Sequence, residues 1–546
     1  MIGEAIDTLS AHGPTLAWPR TRRGRVSGPI EIDASRAKKG CFTWSPYRLS
    51  ATFPWTMWVN NLAEEPMMVE VAATFAIALA VTAALDLATR VLTVDAAAHG
   101  LAVSLAVLAI FLYGHAQHLT GPRLPHRLLL APWLAAWGLA TWLTIRHVSS
   151  RPVQSLARLA ARGSVALVAI IAIAGSSKIF SQFRASVGGD FAGDSALADE
   201  SAGGRRDLYF LILDGYARAD VLENVLDFDN RQFLSRLRER GFFVADQARA
   251  NYSQTRLALP AALSMEYLPA APPDDPYEPH HAVLRALRKN NRVARTLRGH
   301  GYSYRYVGSS FYRGDEAADE NFAWGGNDGG YVVSFLATTL FDLGRHALDR
   351  LGWFSHPADV LEYQLAHVAA PKRTTGAMFT FAHLCCPHLP YAFDRHGRRE
   401  RVIDREEDAT PRDYAEQVMY LNQQVLALID RIDATSGGDA TIILQADHGT
   451  AFLGMSPRPT AAQLHERMSI FSAVRGPRAL RERLYPSITP INTLRATVAT
   501  LVGENLPPLL DRSLYSTYER PFDFHELSVE SPTQHVETSR DLSHAM

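Results

Sequence analysis

Three apolar runs in this chain stop abruptly at side chains suited to hold a cation. "DLYFLIL" runs into Asp214-Gly215, and "TIILQA" ends in Asp447-His448-Gly449. "AMFTFAH" ends at His383 and continues through "LCCPHLPY", with His388 in a Pro-flanked turn. Each alone has a plain reading, because strands end in turns and Asp and Gly are turn residues. All three together favour one shared site. Asp214, Asp447 and His448 supply hard oxygen and borderline nitrogen ligands, a set that suits Mn²⁺, Zn²⁺ or Mg²⁺. The glycines beside them remove side chains next to the expected ion. Two carboxylates buried together would be costly without a cation between them.

A metal-assisted transfer also needs a nucleophile. "ANYSQTRLALPAALSMEYL", beginning at Ala250, reads as a loop entering a helix with Pro260 in its first turn. Thr255 would sit just before that helix, where backbone N–H groups favour an anion. A threonine there also serves as a simple cap.

Such side chains need rigid mounts. In open α/β sheets, sites gather at the carboxyl ends of strands. "GFFVAD" and "GYSYRYVG" read as further short strands, each after a helical stretch. Apolar residues at Tyr414, Val418, Leu421, Val425, Ile429 and Ile432 form a helical stripe just before "TIILQA". This alternation implies an α/β domain with a mixed, largely parallel sheet sandwiched by helices.

The chain before it has another character. Apolar segments at about 71–89, 101–118, 128–145 and 163–179 approach the roughly 17–25 residues that cross a bilayer. Arg146, Arg151, Arg158 and Arg162 lie between the last two, which places that loop in the cytoplasm and the chain after 180 outside. The arginines and lysines between Arg20 and Lys39 disagree with four spans, unless an extra element exists around 53–62 or the tail is not part of the topogenic signal. The expected organisation is a tail at 1–66, an anchor of about four helices at 67–180, a glycine-rich linker at 181–205, a catalytic domain at 206–520 and a polar tail at 521–546.

A net charge of −1 gives no electrostatic case for nucleic acid. Only Cys41, Cys385 and Cys386 occur, which excludes a disulfide framework or a CxxC zinc pattern. The adjacent pair reads as two buried thiols. No GxxxxGK[ST] loop is present, against a nucleotide-driven transporter.

The ordered set "LILDGY", "NYSQT", "HLCCPHLPY" and "LQADHG" resembles the sulfatase-like branch of the alkaline phosphatase superfamily. More narrowly it is similar to membrane-anchored sulfatase-like hydrolases and transferases, relatives of lipoteichoic acid synthases and lipid A phosphoethanolamine transferases. The likeness runs from about Asp207 to Ser516 and includes "LYPSITPINTLR" and "LPPLLDRSLYS". It implies an alkaline phosphatase-like fold behind a helical membrane anchor. It also implies Asp214, Thr255, Asp447 and His448 as ligands of one divalent ion, with Thr255 as nucleophile. His388 then binds substrate, and His383 is the weaker candidate for the same task, with a structural role open beside it. Ser253 is a rival nucleophile, and Thr255 is preferred for its spacing to Ser264.

Departures from the family narrow the chemistry. The nucleophile segment "QTRLALP" lacks the C/S-x-P-x-R context that true sulfatases mature to formylglycine. No Asp-x-x-x-His pair of the two-metal phosphodiesterases accompanies "FAHLCCPHLPY". The implied activity is metal-dependent transfer of a phosphoryl or substituted-phosphoryl group. The donor would be a membrane lipid such as a phospholipid, and the acceptor a cell-envelope glycan, outside a cytoplasmic (inner) membrane. A membrane-bound phosphodiesterase, phosphatase or sulfatase-like hydrolase is the alternative, and a non-catalytic membrane scaffold retaining the fold is the rival from another class.

Overall fold

The computed structural model describes residues 45–61, 68–91, 95–120, 126–147, 151–187, 205–268 and 291–527, apart from short stretches within 310–316, 326–329, 345–354, 400–405 and at 519. The basic stretch before residue 45 and most of the expected linker lie outside these residues.

The α/β domain is built on seven strands: β1 (Leu208–Leu213), β2 (Phe243–Val244), β3 (Ser303–Val307), β4 (Glu320–Phe322), β5 (Met378–Leu384), β6 (Thr441–Gln445) and β7 (Ser472–Arg475). Their order is β2-β7-β6-β1-β5-β3-β4. Strands β6, β1, β5, β3 and β4 run parallel, while β7 pairs antiparallel with both β6 and β2. The sheet is therefore mixed and largely parallel, as expected. Continuous apolar sequence in β1 has a direct cause. Tyr209, Leu211 and Leu213 enter one core, and Leu208, Phe210 and Ile212 enter the other. Both faces are covered, so apolar side chains are favoured at every position.

The helical stripe before β6 is the helix Pro411–Ser436. Thr410 caps its start in a reciprocal box with Asp413, and Gly437 ends it at φ 67. It buries Tyr414, Val418, Leu421, Val425, Ile429 and Ile432, the expected face. Cys386 is buried and Cys385 half-buried.

Two boundaries are corrected. The expected C-terminal tail does not leave the domain at 521: Phe522 and Phe524 pack beside Tyr252, and His525–Glu526 pairs with Leu514–Tyr515. The expected N-terminal tail contains the helix Ser45–Asn60, which covers most of the extra element suspected at 53–62. It lies among the helices Met68–Arg90, Ala96–Phe111 and Arg151–Val187, and Phe53 stacks on Phe111 at 5.1 Å.

Three described helices are long and apolar enough to cross a membrane: Met68–Arg90, Leu128–Arg146 and Gln154–Ser176. The segment read as a span at 101–118 is instead a helix interrupted after Phe111 and resumed at Tyr113–Thr120. Its i→i−4 ladder is interrupted here. Gly114 donates not to Ile110 but to the Thr338 carbonyl at 3.2 Å, and the Ile110 carbonyl accepts instead from Leu340 N–H at 2.8 Å.

Candidate active site

Strand register explains why distant carboxylates meet. Ile212 of β1 pairs with Gln445 of β6 on one side and with His383 of β5 on the other. Two residues beyond Ile212 and Gln445, Asp214 and Asp447 leave neighbouring strands at the same level and on the same face. The backbone then ties the third segment to the first. Asp214 N–H donates to the Leu384 carbonyl, and His388 N–H donates to the Asp214 carbonyl, both at 3.0 Å. Gln417, buried on the helix Pro411–Ser436, donates to the carbonyls of Pro387 and His388 and holds that turn.

The nucleophile candidate arrives on a helix. Thr255 is the first residue of Thr255–Ser264, with Gln254 in the capping position. The helix thus begins earlier than expected, and Pro260 sits within it rather than in its first turn. Every residue from Leu257 to Ser264 is buried, so the helix is fixed by packing. Gln254 is pinned by donating to Ser516 Oγ and to the Thr517 carbonyl.

Four potential ligand atoms converge. Thr255 Oγ1 is 3.0 Å from His448 Nε2. The same nitrogen is 3.5 Å from Asp214 Oδ1 and 3.6 Å from Asp447 Oδ2. Asp214 Oδ1 and Asp447 Oδ2 are buried and have no hydrogen-bond partner among the described residues. Buried carboxylate oxygens without donors are costly, and a divalent ion at this point would satisfy both. His448 Nδ1–H donates to the Gly449 carbonyl at 2.9 Å, which turns the Nε2 lone pair toward the cluster. Burial, with the Arg467 charge adding to it, lowers the His448 pKa to about 4, so the ring is neutral at neutral pH, as a ligating imidazole must be. Burial pushes the Asp214 carboxyl up, but His388, His383 and His448 around it outweigh that and hold it well below the usual carboxylate range. The residues present fit a divalent cation.

His388 is half-buried, and its ring lies 5.9 Å from that of His448. It is near enough to Asp214 and His448 to act at the same centre. The His383 ring is fully buried, and its Nε2 lies 2.9 Å from Asp214 Oδ2, while Asp214 Oδ1 is the oxygen that faces His448 Nε2. Ser253 is also fully buried. Its hydroxyl donates to the Ser516 carbonyl and accepts from Ser516 N–H, so it is engaged away from the cluster.

Arg467 was not singled out from the sequence. It is buried on the helix Ala461–Met468 and donates through Nε to the Ser253 carbonyl and through Nη1 to the Gly449 carbonyl, at 2.8 and 2.9 Å. One guanidinium therefore ties the segment before Thr255 to the loop after His448. Its neighbour Glu466 accepts from Phe452 N–H, Leu453 N–H and the Thr450 hydroxyl, which fixes the chain beyond Gly449. Gly449 itself has no room for a side chain, because a Cβ would run into the Glu466 carbonyl. "LHERM" carries no motif signal; only the spatial neighbours of Glu466 and Arg467 reveal their place.

No family model and no curated protein matches the chain. Solved structures do align with it. The periplasmic domain of EcEptC from Escherichia coli in complex with Zn is 14% identical, with 56% of this chain and 84% of that chain covered and a TM-score of 0.34. The integral membrane protein lipooligosaccharide phosphoethanolamine transferase A from Neisseria meningitidis is 14% identical over 85% of this chain and 95% of that chain, with a TM-score of 0.37. A 2-O GAG sulfatase aligns at 12% identity over 56% and 72%, with a TM-score of 0.34. Likeness at this level leaves the reaction to be argued from the site itself.

Proposed function

We propose that this chain is a membrane-anchored enzyme that transfers a phosphoryl or substituted-phosphoryl group through a covalent intermediate on Thr255. The donor class is a phospholipid head group and the acceptor a cell-envelope hydroxyl. The observation that supports this most is the convergence of Thr255 Oγ1, Asp214 Oδ1, Asp447 Oδ2 and His448 Nε2, with both carboxylate oxygens lacking a hydrogen-bond partner among the described residues.

Asp214, Thr255, Asp447 and His448 would hold one divalent ion, which when bound lowers the pKa of the hydroxyl and acts as a Lewis acid toward phosphoryl oxygens. Thr255 Oγ1 forms a bond to phosphorus while the bond from phosphorus to the donor's leaving alcohol breaks; the hydroxyl proton ends on that alcohol. His388 steadies the charge that builds on the non-bridging oxygens. In the second half the acceptor oxygen bonds to phosphorus, the bond to Oγ1 breaks, and the acceptor's proton returns to Thr255. Water as acceptor makes the same chemistry a phosphodiesterase.

Orientation is read from Arg146, Arg151, Arg158 and Arg162, which precede the last apolar helix and so are cytoplasmic. The α/β domain is then extracytoplasmic. The test is Thr255→Ala in the full chain in native membranes. Head-group transfer or release should be lost while the purified variant keeps its metal. Turnover surviving in Thr255→Ala and lost in Ser253→Ala would move the nucleophile to Ser253.

A further inference from the structure

One excursion of the α/β domain has no role in the site. After β4 the chain forms the apolar helix Gly330–Ala337, "GYVVSFLA", followed by a compact turn through Gly344. It does not pack on the sheet. Phe335 and Leu336 are buried in one cluster with Ala78, Val103, Val107 and Phe111 of the N-terminal helices, and the Phe111 and Phe335 rings are 5.9 Å apart.

Its depth follows from helix geometry. Ala78 lies ten residues beyond Met68, where its helix begins, which is about 15 Å along the axis at about 1.5 Å per residue. Half a bilayer's hydrocarbon is of the same size, about 15 Å. A non-helical backbone at that depth must have its polar groups satisfied by protein, and protein supplies partners for several of them here. The Thr338 carbonyl and Leu340 N–H take the two ends of the rung missing between Gly114 and Ile110. The Thr338 and Thr339 hydroxyls donate to the Phe335 and Leu336 carbonyls, both at 2.8 Å. Phe341 N–H donates to Thr339 Oγ1, and Gly344 N–H to the Phe341 carbonyl. Gly114 is fitted to this contact, because a Cβ there would run into the Ala337 carbonyl. Phe341 and Leu343 nevertheless point outward, 37% and 43% exposed.

We infer that residues 330–344 are a re-entrant element of the α/β domain, wedged against the helices Met68–Arg90 and Ala96–Phe111 at membrane depth, with Phe341 and Leu343 facing lipid acyl chains. The inference rests on the membrane reading of the N-terminal helices and is independent of the reaction. It makes the anchor and the α/β domain one body, with the reaction site at a fixed height above the leaflet. The partner is the hydrocarbon of the bilayer.

A photoreactive benzophenone amino acid at Phe341 tests it, in the full chain reconstituted into vesicles of phosphatidylethanolamine and phosphatidylglycerol. Leu510, 78% exposed on the α/β domain, is the control position. After irradiation, peptide mass mapping should find phospholipid attached at 341 and not at 510. The same probe at Leu343 repeats the measurement if the first position perturbs folding. Lipid attachment at 341 and 343 no more frequent than at 510 overturns the inference, whatever the activity of the protein.

Discussion

Thr255 Oγ1 stands 3.0 Å from His448 Nε2, although 193 residues separate the two in the chain. One comes from the first turn of a buried helix and the other from just beyond the tip of β6, so neither moves without its element. Mounting on rigid elements keeps such groups near their working geometry before any substrate arrives. The closeness of a hydroxyl to a neutral imidazole between two carboxylates is the arrangement on which the functional reading depends.

The ligand set should separate by substitution. His448→Ala should abolish tight metal binding, and His388→Ala should retain it while losing rate or substrate affinity. Elemental analysis of the purified full chain should give about one ion per chain. A well-occupied second ion held by His383 or His388 would contradict the single-metal reading.

His383 should act on the metal through Asp214. With Nε2 at 2.9 Å from Asp214 Oδ2, it fixes the rotation of that carboxylate. His383→Phe should weaken metal affinity by roughly 10- to 100-fold, the usual cost of losing such a support. His383→Gln, which keeps a donor, should recover part of it. Calorimetric metal titration measures both, and equal affinity in wild type and His383→Phe would remove the role.

Arg467 and Gly449 should matter to order before they matter to chemistry. Arg467→Ala takes the donor from the buried Ser253 carbonyl, at roughly 1–3 kcal/mol, and removes one of the two donors to the Gly449 carbonyl. Gly449→Ala forces the ligand loop off the Glu466 carbonyl, an overpacking cost of roughly 1–3 kcal/mol. Both variants should show a lower melting temperature and weaker metal retention. A wild-type melting temperature in Arg467→Ala would show that the tie between the two segments carries no stability.

Acid should loosen the metal-free protein in a definite window. His448 has an ordinary pKa of 6.5 and one lowered to about 4 in the fold, chiefly by burial. Between these values the unfolded chain binds more protons, so stability falls as pH falls. The contribution is full above 6.5 and lost as pH drops through about 4. Asp214, held below the usual carboxylate range, adds loss in the same direction at lower pH. The denaturation midpoint of metal-stripped protein should therefore drop from about pH 7 to about pH 5, and His448→Gln should flatten that drop. An unchanged slope in the variant would assign the acid response to other groups.

What the sequence made legible was local. β1, β5 and β6 are doubly buried, so their apolar runs stand out, and each ends where a ligand-type residue begins. That Asp214 and Asp447 face each other is a matter of register between strands 233 positions apart, which periodicity does not specify. Residues such as Arg467 and Gln417 were invisible because their partners are backbone carbonyls of remote segments. Short β7 and β4 carry little apolar pattern, and the 330–344 excursion looks like any core helix until its neighbours are known. The interrupted span at Leu112 followed from the same contact: two backbone groups supplied from elsewhere replaced one helical rung.

The central claim is a covalent bond to Thr255, and mass spectrometry tests it most directly. Purified full chain would be loaded with Mn²⁺ or Zn²⁺, exposed briefly to native membranes, quenched in acid and mapped by peptide. The account predicts an added phosphoryl or substituted-phosphoryl mass on Thr255, absent in Thr255→Ala and after metal removal. Active protein with no added mass at Thr255, or with the mass on Ser253, would contradict it.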